Sequence, residues 1–263
     1  MIVTQSKRNL SWMGSMLAVS LVSTVSSLSA GTILNVVETG GDNEATDTIA
    51  AKWTGQTWKV SIANEPVPGA TVDSSYTAGT FGSLAPAFVD RNHRFIDDPG
   101  TAGGAALAIP AYLVGQEYIL SGNDNRDNAS YRLDVTVGTA STVYMLIDNR
   151  LSDANNANPP TFDATHMQWI LDQGWMPSLN GLNRFGNASV ADEVAIDEGA
   201  DGTINQWYSV YKKEVDAGSF TLFQADNAGQ NMYGVVVVPV PEPGTLSLVG
   251  LGLAGLLFRR RTR

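Results

Sequence analysis

The chain has 263 residues, no cysteine and a formal net charge of −10. Without thiols it can form no disulfide, thiolate nucleophile or Cys-ligated zinc site, and an acidic surface repels phosphate backbones, which sets nucleic acid aside as a partner. The middle is more acidic than the whole, because Lys7, Arg8, Arg259, Arg260, Arg261 and Arg263 lie in the two ends against one acid, Glu242.

The first element in chain order is a delivery signal. Lys7 and Arg8 precede an apolar stretch, residues 12–28, which gives way to small side chains ending at Ala30. A positive flank, an apolar segment and small residues for a peptidase make up a secretory signal. Residues 1–30 are therefore expected to be removed on export, leaving a domain over 31–239 and a separate terminal segment over 240–263. The serines scattered through 12–28 make that stretch a poor permanent membrane span.

Residues 31–104 are loose in pattern, rich in Gly, Pro, Ser and Asp, with one strand expected at 58–63 (WKVSIA). This part is expected to add edge strands to a larger body rather than to fold alone. Strand signals then become dense. EYILSG (117–122) is followed by NDNRD, and YRLDVTV (131–137) alternates Tyr131, Leu133, Val135 and Val137 against Arg132, Asp134 and Thr136. TVYMLID (142–148) is apolar on both faces, as a central strand is. QWYSVYKKEV, GSFTLFQ and MYGVVVV complete the set, separated by Gly, Asn, Asp and Pro turns. One short helix is expected over 163–173, with Asp163 as N-cap and Gly174 as stop. No internal repeat is present. The whole predicts an all-β, antiparallel β-sandwich with a short helix.

Side chains capable of chemistry are sparse. The two histidines, His93 and His166, sit in no motif and read as surface or loop residues, and no G-x-S-x-G elbow or H-E-x-x-H helix occurs. Asp192, Glu193, Asp197, Glu198 and Asp201 read as a solvated acidic face that lacks EF-hand spacing. Asn123, Asp124, Asn125 and Asp127 form an oxygen-rich turn; it serves either as structure or as a calcium site through Asp124 and Asp127. Asp148, Arg150, Trp169 and Trp175 are the candidate ligand-binding residues. Indole faces stack on sugar rings, and an Asp–Arg pair bonds hydroxyls. The alternative is that the tryptophans plug a loop on the sheet and Asp148–Arg150 pins it.

The terminal segment has three parts in fixed order. Val240-Pro241-Glu242-Pro243-Gly244 comes first; fourteen uncharged residues, 245–258, follow; Arg259, Arg260, Arg261 and Arg263 close it. Prolines on both sides of Glu242 keep the backbone extended and open to an enzyme. Fourteen residues fall short of the roughly 20 a bilayer span needs, so the short transmembrane helix is a marginal one, helped by arginines that stay on the cytoplasmic side. Gly250 and Ala254 allow close helix approach. This order of parts closely resembles the PEP-CTERM sorting signal of Gram-negative bacteria. The resemblance implies an exosortase as processing partner, with Pro241, Glu242, Pro243, Arg259, Arg260 and Arg261 as the signal. It also implies a temporary hold in the membrane and delivery to the cell envelope, cell surface or extracellular matrix.

A second resemblance covers about half the chain. The strands of 109–150 and 208–238, with their "Tyr-Ile … Asn-Asp" and "Val-Tyr … Asp-Asn-Arg" ends, a Trp-containing loop stretched by 151–168 and a closing aromatic-Ala-Gly hairpin, look like galactose-binding-like (jelly-roll) modules of secreted carbohydrate-active systems. Such modules bind or space. Together these readings describe an exported protein without enzymatic activity that is structural, adhesive or carbohydrate-binding and works on biofilm exopolysaccharide with no organic cofactor. A secreted carbohydrate-active hydrolase using a carboxylate pair is the competing reading.

Overall fold

The computed structural model describes residues 31–41, 47–50, 80–100, 106–199, 201–227 and 229–241. The signal segment, the strand expected at 58–63 and the tail beyond Pro241 lie outside the described residues. Alternation and turn chemistry produce two antiparallel sheets. The smaller has the order β1–β5–β10, from β1 (Ile33–Thr39), β5 (Arg132–Val137) and β10 (Gly218–Phe223). The larger curls into a half-barrel. Its order is β2 (Thr48–Ile49), β4 (Glu117–Leu120), β11 (Gly234–Pro239), β6 (Ser141–Asp148), β9 (Gln206–Val215), β8 (Glu193–Asp197) and β3 (Arg94–Ile96), with β7 (Met176–Pro177) paired on the far half of β9.

The periodicities act as expected. Leu133, Val135 and Val137 of β5 are buried while Arg132 is exposed. β6, apolar on both faces, holds the middle place in the large sheet. Its two faces are both covered: Tyr144 packs on Tyr112 with ring centroids 4.8 Å apart, and Tyr211, the cross-strand partner of Met145 on the other face, packs on Phe162 at 5.1 Å. One hydrophobic core joins β5 with β6, β9 and β11 and so ties the sheets together. The three strands contributed by the loose first part, β1, β2 and β3, all lie at sheet edges.

Two expectations need correction. The helix is α1 (Gln168–Asp172), shorter than 163–173. Asp163 does not cap it: its carboxylate accepts from the Thr165 and His166 side chains and the Thr165 N–H, closing a separate turn, and Met167 then sits at φ 48°. Gly174, at φ 74°, does stop it. Most of the acidic run is likewise not a solvated face: Glu193 to Asp197 form the buried strand β8 and Asp192, Glu193 and Asp197 are at most 1% exposed, whereas Glu198 is half-buried and Asp201 exposed. Each carboxylate found a donor. Asp192 accepts from the Tyr112 and Ser178 hydroxyls and the Asn180 and Gly181 amides, Glu193 from the Asn149 side chain and the Arg184 amide, and Asp197 from Arg94 Nε at 3.0 Å. Among the described residues no helix is long and apolar enough to cross a membrane; the tail segment expected to do so lies outside them.

Candidate functional site

Antiparallel pairing brings many chain ends to one rim of the large sheet. β4, β6 and β8 end there, while β2, β3, β9 and β11 begin there. The loops at these ends carry the polar residues, because a loop leaving a sheet must satisfy its amides locally.

Asp148 is the last residue of β6 and is 1% exposed. Its carboxylate accepts from the Arg150 amide (2.9 Å), from Arg150 Nε (3.0 Å) and Nη2 (2.6 Å), and from the Asn231 amide at 3.1 Å. The Asp148–Arg150 pair expected from the sequence is thus formed, and it fixes both its own turn and the loop before β11. Burial works against the guanidinium charge of Arg150, but the hydrogen bonds and charge of Asp148 outweigh it and raise its pKa. On the facing side, Glu198 accepts from Asn231 Nδ2 at 2.7 Å and approaches Arg150 Nη2 at 3.5 Å.

The turn after β4, the 3-10 helix Asn123–Asp127, forms the opposite wall. Asp90 holds its start by accepting from the Asn123 and Asp124 amides at 2.8 and 3.1 Å. Burial pushes Asp90 up to about 6, although the Arg91 charge and those two amides pull the other way. Asp124 is gripped by Arg91 and by Arg126 Nη1, while Asp127 is exposed. One of the two oxygens that Asp124 could offer calcium, Oδ1, therefore already serves two guanidinium groups. Among the described residues no three His, Asp or Glu side chains converge as a metal site.

Between the walls lies a cleft with two lobes. The smaller lobe, about 170 Å³, is lined by Arg91, His93, Arg126, Arg150, Glu198 and Asn231 among others. The larger, about 230 Å³, shares Arg150 and Gln230 with it and includes His166 and Asp226. Both histidines of the chain thus line one cleft. His166 lines the larger lobe and is bonded to Asp163. His93 is 4% exposed, not a surface residue; strand pairing of the adjacent Arg94 with Asp197 in β8 draws it inward. Neither of its ring nitrogens has a hydrogen-bond partner. Burial first, and then the charges of Arg91, Arg150 and Arg126, lower its pKa to about 3, so the ring is neutral.

The two tryptophans are placed elsewhere. Trp169 donates its indole N–H to the Gln224 carbonyl at 2.9 Å and packs edge-on against Phe223 and Tyr233, bracing the loop that leads to the cleft. Trp175 is buried, with Lys213 Nζ 6.0 Å from its ring. Neither lines the cleft. Sequence reading missed Arg91, Arg126, Gln230 and Asn231 as members of the site. DRNHR and NDNRD were visible as polar patches, but only the strand register brings them opposite Asp148.

At the other end of β11 the geometry changes character. β11 begins beside the cleft and ends at Pro239 at the opposite end of the strands, where the Val240 amide donates to the Ala140 carbonyl and Pro241 is exposed. The chain is thus a mostly β, antiparallel protein with a polar rim at one end and a departing tail at the other. Residues 239–261 of that tail match the PEP-CTERM protein-sorting motif. The motif marks an exported protein of the cell envelope or surface and makes an exosortase its processing partner. Glu242, Pro243 and the arginines of the signal lie outside the described residues. No curated protein and no solved structure matches the chain.

Proposed function

We propose that this chain is a non-enzymatic surface protein whose galactose-binding-like β-sandwich holds matrix exopolysaccharide in the rim cleft while its tail is handled by an exosortase. The observation that carries this reading is the polarity of β11. Six residues of extended chain span roughly 20 Å, and they separate the cleft from the sorting motif. A protein tethered through its tail then presents the cleft away from the membrane. A second support is the composition of the rim: hydroxyl-seeking amides, guanidinium groups and one carboxylate match the donor and acceptor demands of a polyol.

A pull-down tests it. The secreted protein is mixed with exopolysaccharide from an exosortase-bearing bacterium, and bound protein and free reducing ends are both measured. Retention without release of reducing ends is expected. Release of sugar would favour the hydrolase reading, and absence of retention would end the binding one.

A further inference from the structure

We infer that the smaller lobe seats a single oxyanion carried on a sugar ring, a carboxylate or a sulfate ester, with Arg126 and Arg150 as its cationic wall. The inference rests on the polysaccharide reading above and narrows it. In a chain of net charge −10, Arg91, Arg126 and Arg150 gather around one lobe of about 170 Å³. The carboxylates that hold them, Asp90, Asp124 and Asp148, do not line that lobe; Glu198 is the acid on its wall among the described residues. The guanidinium planes are thus fixed from behind, which lowers the ordering cost of binding.

Donors remain unused on both arginines. Arg126 Nε is buried without a partner, and Arg126 Nη2 and Arg150 Nη1 make no hydrogen bond to any described residue. A guanidinium edge with two parallel donors matches the two oxygens of a carboxylate or sulfate. Beside them stand the two unpartnered nitrogens of buried His93 and the unpartnered Oε1 of Gln230. A neutral imidazole offers one donor and one acceptor, and the amide oxygen a further acceptor. These suit ring hydroxyls, not a second charge. Burial first, and then the charges of the three arginines, depress the His93 pKa and keep the ring neutral. Beyond the cleft, the molecule's negative charge repels a dense polyanion. The fitting ligand is therefore a largely neutral glycan with isolated acidic groups.

The test is calorimetric titration of the full secreted protein with oligogalacturonides of one length but graded methyl-esterification, together with a sulfated galacto-oligosaccharide of that length. Partly esterified oligomers are expected to bind at least about tenfold tighter than the fully esterified one, the order of one charge-assisted hydrogen bond. Preference for the uronate or for the sulfate identifies which oxyanion is native. Equal binding of the fully esterified oligomer overturns the oxyanion and leaves the polysaccharide reading standing. No binding by any oligomer, combined with no retention in the pull-down, removes both. Arg126→Gln should lose about tenfold toward the acidic oligomer and little toward the neutral one. A folded Arg126→Gln with unchanged discrimination overturns the assignment. Gln230→Ala, which leaves the ion pairs intact, should weaken both oligomers alike, and unaltered affinity in that variant overturns the hydroxyl contact.

Discussion

At the scale of single residues, the cleft trades stability for readiness. His93 is buried with two polar atoms unsatisfied, an arrangement that costs folding free energy unless a ligand uses it. Its folded-state pKa of about 3 lies below the ordinary 6.5, so the unfolded chain binds the extra proton between those values. The neutral ring's stability is therefore complete above about pH 6.5 and is lost as pH falls toward 3, at about 1.4 kcal/mol per unit. Asp90 acts in the opposite sense, gaining stability as pH falls through about 6, but it is present in both proteins of a comparison. Urea denaturation of His93→Leu and the parent at pH 7, 6, 5 and 4 should show the variant within about 1 kcal/mol at pH 7 and less acid-sensitive below 6. Parallel pH profiles would contradict the buried neutral ring. Asp148→Ala should behave differently, costing about 3–5 kcal/mol, because it strands the Arg150 guanidinium and frees the Asn231 amide at once. A melting temperature close to that of the parent would mean that the pair is not what holds the two loops.

At the scale of elements, what the sequence disclosed followed periodicity, and what it hid followed pairing. β5 and β6 were readable residue by residue, since alternation and a two-faced apolar run each correspond to one burial pattern. β8 was hidden because Glu193 and Asp197 break the apolar signal; their partners, Arg184, Asn149 and Arg94, come from distant parts of the chain. The same holds for the cleft. Asp148 and Arg150 are two residues apart and were legible as a pair, whereas Arg91, Arg126 and Gln230 meet them only through strand register. The helix shows a third case, in which a cap residue was real but served another turn. Its stop is testable: Gly174→Ala puts a Cβ at φ 74° and should cost about 1 kcal/mol in denaturant midpoint, with no atom close enough to clash. A neutral result would show that α1 does not depend on the left-handed residue after it.

At the scale of the whole molecule, the problem is how a protein sorted through its tail keeps its fold at a surface. The described body supplies a core that spans both sheets and owes nothing to disulfides. Calcium is a further candidate staple, yet Asp124 already answers to Arg91 and Arg126, so a chelator should leave the melting temperature unchanged; a fall of several degrees would reveal a metal contribution at another place. The tail begins at Pro239, the last residue of a strand hydrogen-bonded on both sides, so pulling on it loads the middle of the large sheet rather than an edge. Replacing Pro241, Glu242 and Pro243 together by alanine should leave the melting temperature of the body unaltered, since these residues follow the last strand bond. It should also stop processing: mass spectrometry of envelope fractions should recover the variant with Arg259, Arg260 and Arg261 still attached, and the parent without them. If the parent keeps those arginines at the surface, the tail is a permanent anchor and not a processed signal.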